Sequence, residues 1–214
     1  MKKLMYIFII VIFIYGCESN TNGYEIIKRE KTISKNNCRI KILFPEISGL
    51  EGQRKLAEIN KVLENFPKHE YYAHDCLEKK RKQNEVTGDY EILLENDTIL
   101  SIEFRTYIQR TDERAHIIYH SVVINPKQAY DSKIGIVGID PKQIFPTFKR
   151  GMIYPYIKKY SIKHKKHINL LAYETGSNYI ITWAITKTDL IVYPGGEGEW
   201  YGDDKVKIPL EKLK

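Results

Sequence analysis

Ile99-Leu100-Ser101-Ile102-Glu103-Phe104-Arg105-Thr106-Tyr107-Ile108-Gln109-Arg110 is the stretch that decides the fold. Leu100, Ile102, Phe104 and Ile108 fall on one side of an extended chain, and Glu103, Arg105 and Gln109 on the other. A period of two is the mark of a half-buried strand. On the N-terminal side, Asp89 to Leu94 predicts a strand and Glu95 to Thr98 a turn. On the C-terminal side, Thr111 to Arg114 is a polar turn leading into a strand from Ala115 to Asn125. Three strands joined by short turns predict an antiparallel meander, with one face free to meet water.

Further upstream, Tyr24 to Ile33 alternates weakly and Asn36-Asn37 signals a turn. Arg39 to Phe44 alternates cleanly, and Pro45 is expected to close that strand. Leu56, Ile59, Leu63 and Phe66 at helical spacing predict an amphipathic helix over Glu51 to Phe66, with Pro67 as its stop. A second helix is expected from His69 to about Gln83, ending in the basic run Lys79 to Lys82. Downstream, a short strand is expected over Ile134 to Ile139. Asp140-Pro141 has the form of an N-cap followed by proline at the first helical position. A helix interrupted near Pro146 and Pro155 is expected to run to Lys159. Tyr179 to Thr186, Asp189 to Tyr193 and Val206 to Pro209 predict three late strands, with a glycine-rich loop after Pro194. Helices early and strands later, without a βαβ rhythm, give an α+β class: an antiparallel sheet packed by early helices and one later helix.

The first seventeen residues carry a different message. Lys2 and Lys3 precede the apolar run Leu4 to Tyr15, and Gly16-Cys17 follow. A charged start, a short apolar core and a small residue at the cut make a secretory signal. With Ile14-Tyr15-Gly16-Cys17 in the lipobox position, the segment resembles a bacterial lipoprotein signal, although Tyr15 stands where the box prefers a small residue. The alternatives are a plain cleaved signal and an uncleaved membrane-spanning anchor. A span needs roughly 20 apolar residues, and this run is shorter. The expected layout is a signal peptide at 1–16, a lipidated Cys17 with a polar tether over 17–23, and one domain from 24 to 214. Such a protein sits on the bacterial cell envelope, facing the periplasm or the exterior.

Composition agrees with a folded domain. The chain has 214 residues, 43% of them hydrophobic, and Tyr 16, enough to build a core without metals. The formal net charge is +7 from Lys+Arg 34 and Asp+Glu 27. Without Lys2 and Lys3 it is 32 − 27 = +5. A modest basic balance suits anionic partners such as phospholipid head groups or acidic glycans, or is simply a lysine-rich solvated surface. Nucleic acid is not an expected partner outside the cytoplasm. Once Cys17 is lipidated, Cys38 and Cys76 remain. In an oxidising compartment they are a candidate disulfide pair; two buried free thiols are the other reading.

No constellation of catalytic residues stands out. His116 and His120 share one strand face but lie about 13 Å apart, too far for one metal. His164 and His167 sit among Lys163, Lys165 and Lys166, whose charge opposes a cation. Asp112, Glu113 and His116 fall at a hairpin tip, where a cleft for acid–base work is rarely available. Ser101 and Ser121 lack a nucleophile-elbow context. Gly195-Gly196-Glu197-Gly198 lacks the Lys-Ser/Thr and helix of a phosphate loop. Neither a cofactor nor a metal is expected, and the chain is not expected to be an enzyme. The aromatic residues Tyr193, Trp200 and Tyr201 bracket the glycine-rich loop, where rings can stack on sugars, anchor a protein or pack as core lids.

Several segments in order resemble a known family. They are Phe44-Pro45-Glu46-Ile47-Ser48-Gly49-Leu50 followed by Ile59-Asn60, Leu100-Ser101-Ile102, Ala115-His116, the Ile139 to Phe145 segment, and Leu190-Ile191-Val192-Tyr193 through Gly202 to Val206-Lys207-Ile208-Pro209-Leu210 and Leu213. Their order and spacing resemble the RsiV-like, PdaC-type extracellular domain. That domain occurs in a membrane anti-sigma factor that senses lysozyme, beside peptidoglycan deacetylase domains, and alone in bacterial lipoproteins. Glu113 and Arg114 stand where the family has two glycines, and Leu190 to Tyr193 replaces a Phe-Tyr-Phe-type strand. No deacetylase domain is present in this sequence, so that activity does not transfer. The resemblance implies a partner outside the cytoplasm: a lysozyme-type enzyme or a cell-wall glycan. Common lysozymes are basic, as this chain is, so a local acidic patch is required. Glu197, Glu199, Asp203 and Asp204 supply one, with His116, Tyr193, Trp200 and Tyr201 as further candidate contacts. The competing expectations are an enzyme acting on wall polysaccharide and a structural lipoprotein without a soluble ligand.

Overall fold

The computed structural model describes residues 23–35, 38–68, 84–109, 116–128, 130–131, 135–136, 138–165, 168, 170, 182–194 and 205–213. The expected helix over His69 to Gln83, the turns at 36–37 and 111–114, the N-terminal segment and the glycine-rich loop lie outside the described residues.

The architecture is α+β, with strands dominating. A five-stranded sheet has the order β1 (Glu25–Lys35), β2 (Cys38–Ser48), β3 (Asn84–Glu95), β4 (Leu100–Gln109) and β5 (His116–Ile124). A three-stranded sheet has the order β10 (Val206–Pro209), β9 (Asp189–Tyr193), β8 (Thr182–Ile185). A small ribbon pairs β6 (Tyr130–Asp131) with β7 (Gly135–Ile136). The helices are α1 (Gln53–Asn65), α2 (Pro141–Ile144) and α3 (Tyr154–His164).

The expected meander is present: β3, β4 and β5 pair antiparallel, and Asn96 Oδ1 accepts from the backbone N–H of Thr98 and Ile99 to close the β3–β4 turn. One pairing departs from the expected antiparallel sheet. β2 and β3 run parallel, Cys38 opposite Asn84 and Ile42 opposite Gly88. Parallel neighbours need a long crossover, and α1 lies within it. A single βαβ step leaves no repeating rhythm in the sequence, which is why it was not legible.

Pro45 does not end its strand. β2 runs on to Ser48, with Lys28 opposite Pro45. Beyond Ile42 it no longer pairs with β3, so Pro45 needs no donor on that side. The buried set also changes face there, from Cys38, Ile40 and Ile42 to Pro45 and Ile47.

Helix α1 packs on the sheet face formed by Leu100, Ile102 and Phe104. Its Ile59 and Leu63 join them in one cluster with Tyr24 and Ile47. Asn60 clamps β2 with both ends of its amide, accepting from Ile47 N and donating to Ile47 O at 2.8 Å each. At the helix exit, Phe66 stacks on Phe104 with ring centroids 5.1 Å apart. Pro67 O accepts from Thr106 Oγ1 at 3.0 Å. Gly88 is required at this crossing: a Cβ there would stand 2.7 Å from Pro67 Cβ and 2.9 Å from Ile42 Cγ2.

The Asp140-Pro141 signal works as expected. Asp140 accepts from Lys142 N while the Gln143 side chain accepts from Asp140 N, a capping box. The expected interruption near Pro146 is present, since the first helix ends at Ile144, whereas Pro155 opens a helix instead of interrupting one. Pro146 disfavours helical backbone before it. A new helix, α3, begins beyond the 3₁₀ turn Arg150–Met152 with Pro155 in its first turn. Ile153 and Ile157 carry it onto Leu190, Val192, Val206 and Ile208 of the small sheet.

Candidate functional site

An antiparallel sheet can leave the second face of β4 to solvent. Here that face is covered. The three-stranded sheet lies against it, fixed by Ser121 Oγ donating to Trp183 O at 2.7 Å and Ile185 N donating to Ser101 Oγ at 3.0 Å. Ser101 and Glu103 are fully buried as a result. A buried carboxylate is costly unless paired and hydrogen-bonded. Glu103 has both. Tyr193 Oη donates to Oε2, and Lys205 Nζ donates to Oε1 at 2.7 Å. Lys205 also lies over the Tyr119 ring, 4.3 Å from its centroid, and Tyr119 stacks on Tyr193 at 6.2 Å. Burial, then the adjacent Glu103 carboxylate, pushes the Tyr193 phenol well above its ordinary value, so it stays a donor. Towards the open end of the same face, Arg105 reaches Asp89 at 3.6 Å and Glu91 at 3.8 Å.

Both oxygens of Glu103 hold donors, so the trio is a fastening between sheets rather than an open acid–base pair. What it fastens matters. Tyr193 is the last residue of β9, and Lys205 immediately precedes β10. They are the two stems of the segment 194–204, which carries Glu197, Glu199, Trp200, Tyr201, Asp203 and Asp204. One carboxylate on β4 therefore holds both ends of the segment on which the expected contacts lie.

The expected site residues are not all brought together. Tyr193 is 1% exposed, so it belongs to the core and offers no surface to a partner. His116 pairs opposite Ile108. It is five residues along β4 from Glu103, about 17 Å at strand rise. Glu197, Glu199, Trp200, Tyr201, Asp203, Asp204, Cys17 and Cys76 lie outside the described residues. Cys38 is disulfide-bonded. Among the described residues no group of three His, Cys, Asp or Glu is placed to hold a metal ion.

Sequence reasoning missed Glu103 and Lys205. Within β4 a glutamate between Ile102 and Phe104 has the pattern of a solvated position. The neighbouring strand held the signal: Ile117-Ile118-Tyr119 and Val122-Val123-Ile124 are apolar on both faces, which a one-sided sheet does not need.

A separate concavity of about 440 Å³ lies near the start of the fold, lined by Leu50, Leu56, Ile59 and Pro126 with Lys55 and Lys127. Among the described residues, its lining has no aromatic ring on which a sugar face could stack.

No protein-family model matches this sequence, and no curated protein matches it. Solved structures do. A DUF3298 family protein from Pseudomonas aeruginosa PAO1 is 10% identical, with 89% of this chain and 91% of that chain covered and a TM-score of 0.50. A DUF3298 family member from Bacteroides fragilis NCTC 9343 is also 10% identical, covering 88% and 90%, with a TM-score of 0.47. Structural neighbours of this chain are thus DUF3298 family proteins, and the likeness to the Pseudomonas protein is one of fold.

Proposed function

We propose that this protein is a lipid-anchored extracytoplasmic binding protein of the RsiV-like, PdaC-type group. Its partner is a cell-wall-active enzyme of the lysozyme type, docked on segment 194–204. The observation that carries the reading is the Glu103 fastening. Tyr193 and Lys205 tie both stems of one acidic, aromatic segment to a buried carboxylate. A segment held at both ends loses less conformational freedom on binding, which favours affinity. The alternation of Glu197, Glu199, Trp200, Tyr201, Asp203 and Asp204 supplies carboxylates for a basic partner and rings for a contact centre. The lipobox at Ile14 to Cys17 supports the anchor. A wall glycan is the second reading, with Trp200 and Tyr201 as its stacking rings.

The test is biolayer interferometry of the protein against lysozyme at low and physiological salt. Binding is expected to weaken with salt and to be lost when Glu197, Glu199, Asp203 and Asp204 are reversed to lysine. No binding at either salt, with binding to purified peptidoglycan instead, would move the glycan reading forward. Turnover of wall polysaccharide that disappears on replacing His116 or Asp112 in a folded protein would make the chain an enzyme.

A further inference from the structure

Helix α3 has a face that the core does not use. Ile153 and Ile157 are fully buried against the small sheet. On the outer side, Pro155, Lys158, Lys159, Ile162 and Lys163 are exposed. They follow the i, i+3, i+4, i+7, i+8 spacing of one stripe. Ile162 is 69% exposed, the most of any large hydrophobic side chain among the described residues. Together with Tyr154 these residues form one shallow concavity of about 520 Å³. Lys158 Nζ stands 5.7 Å over the Tyr154 ring.

The charge here is of one sign. From Phe145 to Tyr173 the sequence has no Asp or Glu. Among the described residues no carboxylate pairs with Lys158, Lys159 or Lys163. An ordinary solvated helix face mixes charges, often as Glu–Lys pairs one turn apart. This one offers cations around a bare isoleucine.

We infer that this face docks on an anionic phospholipid bilayer. The lysines meet lipid phosphates, and Ile162 enters the boundary between head groups and acyl chains. Basic residues flanking an apolar one on a helix are the composition of an interfacial contact. Long lysine stems lie along apolar surface while their charges reach the phosphates. A soluble polyanion would use the lysines but gain nothing from Ile162; the bilayer interface uses both. The inference rests on the membrane-anchored reading for its setting: a tether raises the local concentration of the bilayer, so a weak contact suffices to orient the domain.

The test uses the full chain carrying Ile162→Trp, incorporated into vesicles whose lipids are brominated in the acyl chains. One set is phosphatidylcholine alone; the other is phosphatidylcholine mixed with phosphatidylglycerol. Emission from Trp183 and Trp200 is subtracted with the parent chain. The introduced indole is expected to be quenched and blue-shifted on the mixed vesicles only, and salt should reverse this. Lys158→Gln, Lys159→Gln and Lys163→Gln together should lower the ratio of docked to free helix roughly 100-fold, at about fivefold per lysine near an anionic surface. All three changes are at exposed positions, so folding is retained. Equal quenching on both lipids, or quenching that survives the triple change, overturns the inference. Loss of quenching to inorganic polyphosphate, at a phosphate concentration equal to that of the lipid, overturns it in favour of a soluble polyanion. Flotation with neutral vesicles reports the N-terminal anchor separately, so failure of the anchor and failure of the α3 contact give different results.

Discussion

Replacing Lys205 with methionine tests the Glu103 fastening most directly. Methionine keeps the length and much of the packing over Tyr119 but removes the charge. Lost with it are a charge-assisted hydrogen bond of 2.7 Å and a cation over a ring at 4.3 Å. Those losses are about 1.5–3 kcal/mol and about 0.5–2 kcal/mol in typical settings. Removing one partner of a buried pair costs about 3–5 kcal/mol, because the other charge is stranded. Glu103 is 1% exposed at its side chain but Lys205 is 25% exposed, so water partly replaces the ammonium. The expected loss is therefore about 2–4 kcal/mol, below the fully buried case. Glu103→Gln removes the stranded charge while keeping an acceptor for Tyr193. The double variant should then be less damaged than the sum of the singles, with a coupling of about 2 kcal/mol. Urea denaturation followed by tryptophan fluorescence measures all three. A Lys205→Met loss below about 0.5 kcal/mol, or additive singles, would refute the view that Glu103 depends on Lys205.

Gly88→Ala should destabilise by about 1–3 kcal/mol by forcing Pro67 and Ile42 apart, measurable by thermal unfolding. Stability should fall at alkaline pH. Burial, then Glu95 and Asp97, raises the Tyr24 phenol to about 12, and Tyr193 is raised too. In the unfolded chain both ionise near their ordinary value of about 10. Their contribution is complete below that pH and is lost as pH rises through the folded values. Tyr24→Phe and Tyr193→Phe should flatten the decline in a pH series of urea midpoints. Cys38→Ala should lower stability, and peptide mapping under non-reducing conditions should identify Cys76 as the partner. Closing a loop of 37 intervening residues corresponds to about 3–4 kcal/mol.

The elements that were legible in the sequence are those whose reason is local. β4, α1, β9 and β10 follow from periodicity alone, and the Asp140 cap from one dipeptide. What was not legible depends on neighbours distant in sequence. Pro45 lies inside a strand because β3 has already parted from β2 at that point, which no window around the proline contains. The parallel β2–β3 pair is a property of where the crossover lands. Glu103 is a buried residue only because β8, some 80 residues later, lies over it: Ile185 N donates to Ser101 Oγ across a separation of 84. The candidate site divides the same way. Its acidic and aromatic residues were visible as composition, whereas the carboxylate that holds their stems had the appearance of a surface residue.

Tyr24 gives the N-terminal end a mechanical character. Among the described residues β1 is an edge strand paired only with β2, antiparallel from Glu25 opposite Ser48 onward. A pull on the N-terminus of such a strand would unzip it one pair at a time, a geometry that resists little force. The load meets Tyr24 first. Its ring is 3% exposed among Ile47, Ile59 and Leu63, and its hydroxyl donates to Asn96 O at 3.2 Å on the β3–β4 turn. The ring must leave the core before the zipper can start. Force on the chain is thereby shared with the centre of the main sheet, and Tyr24 is a shear pin for the whole domain.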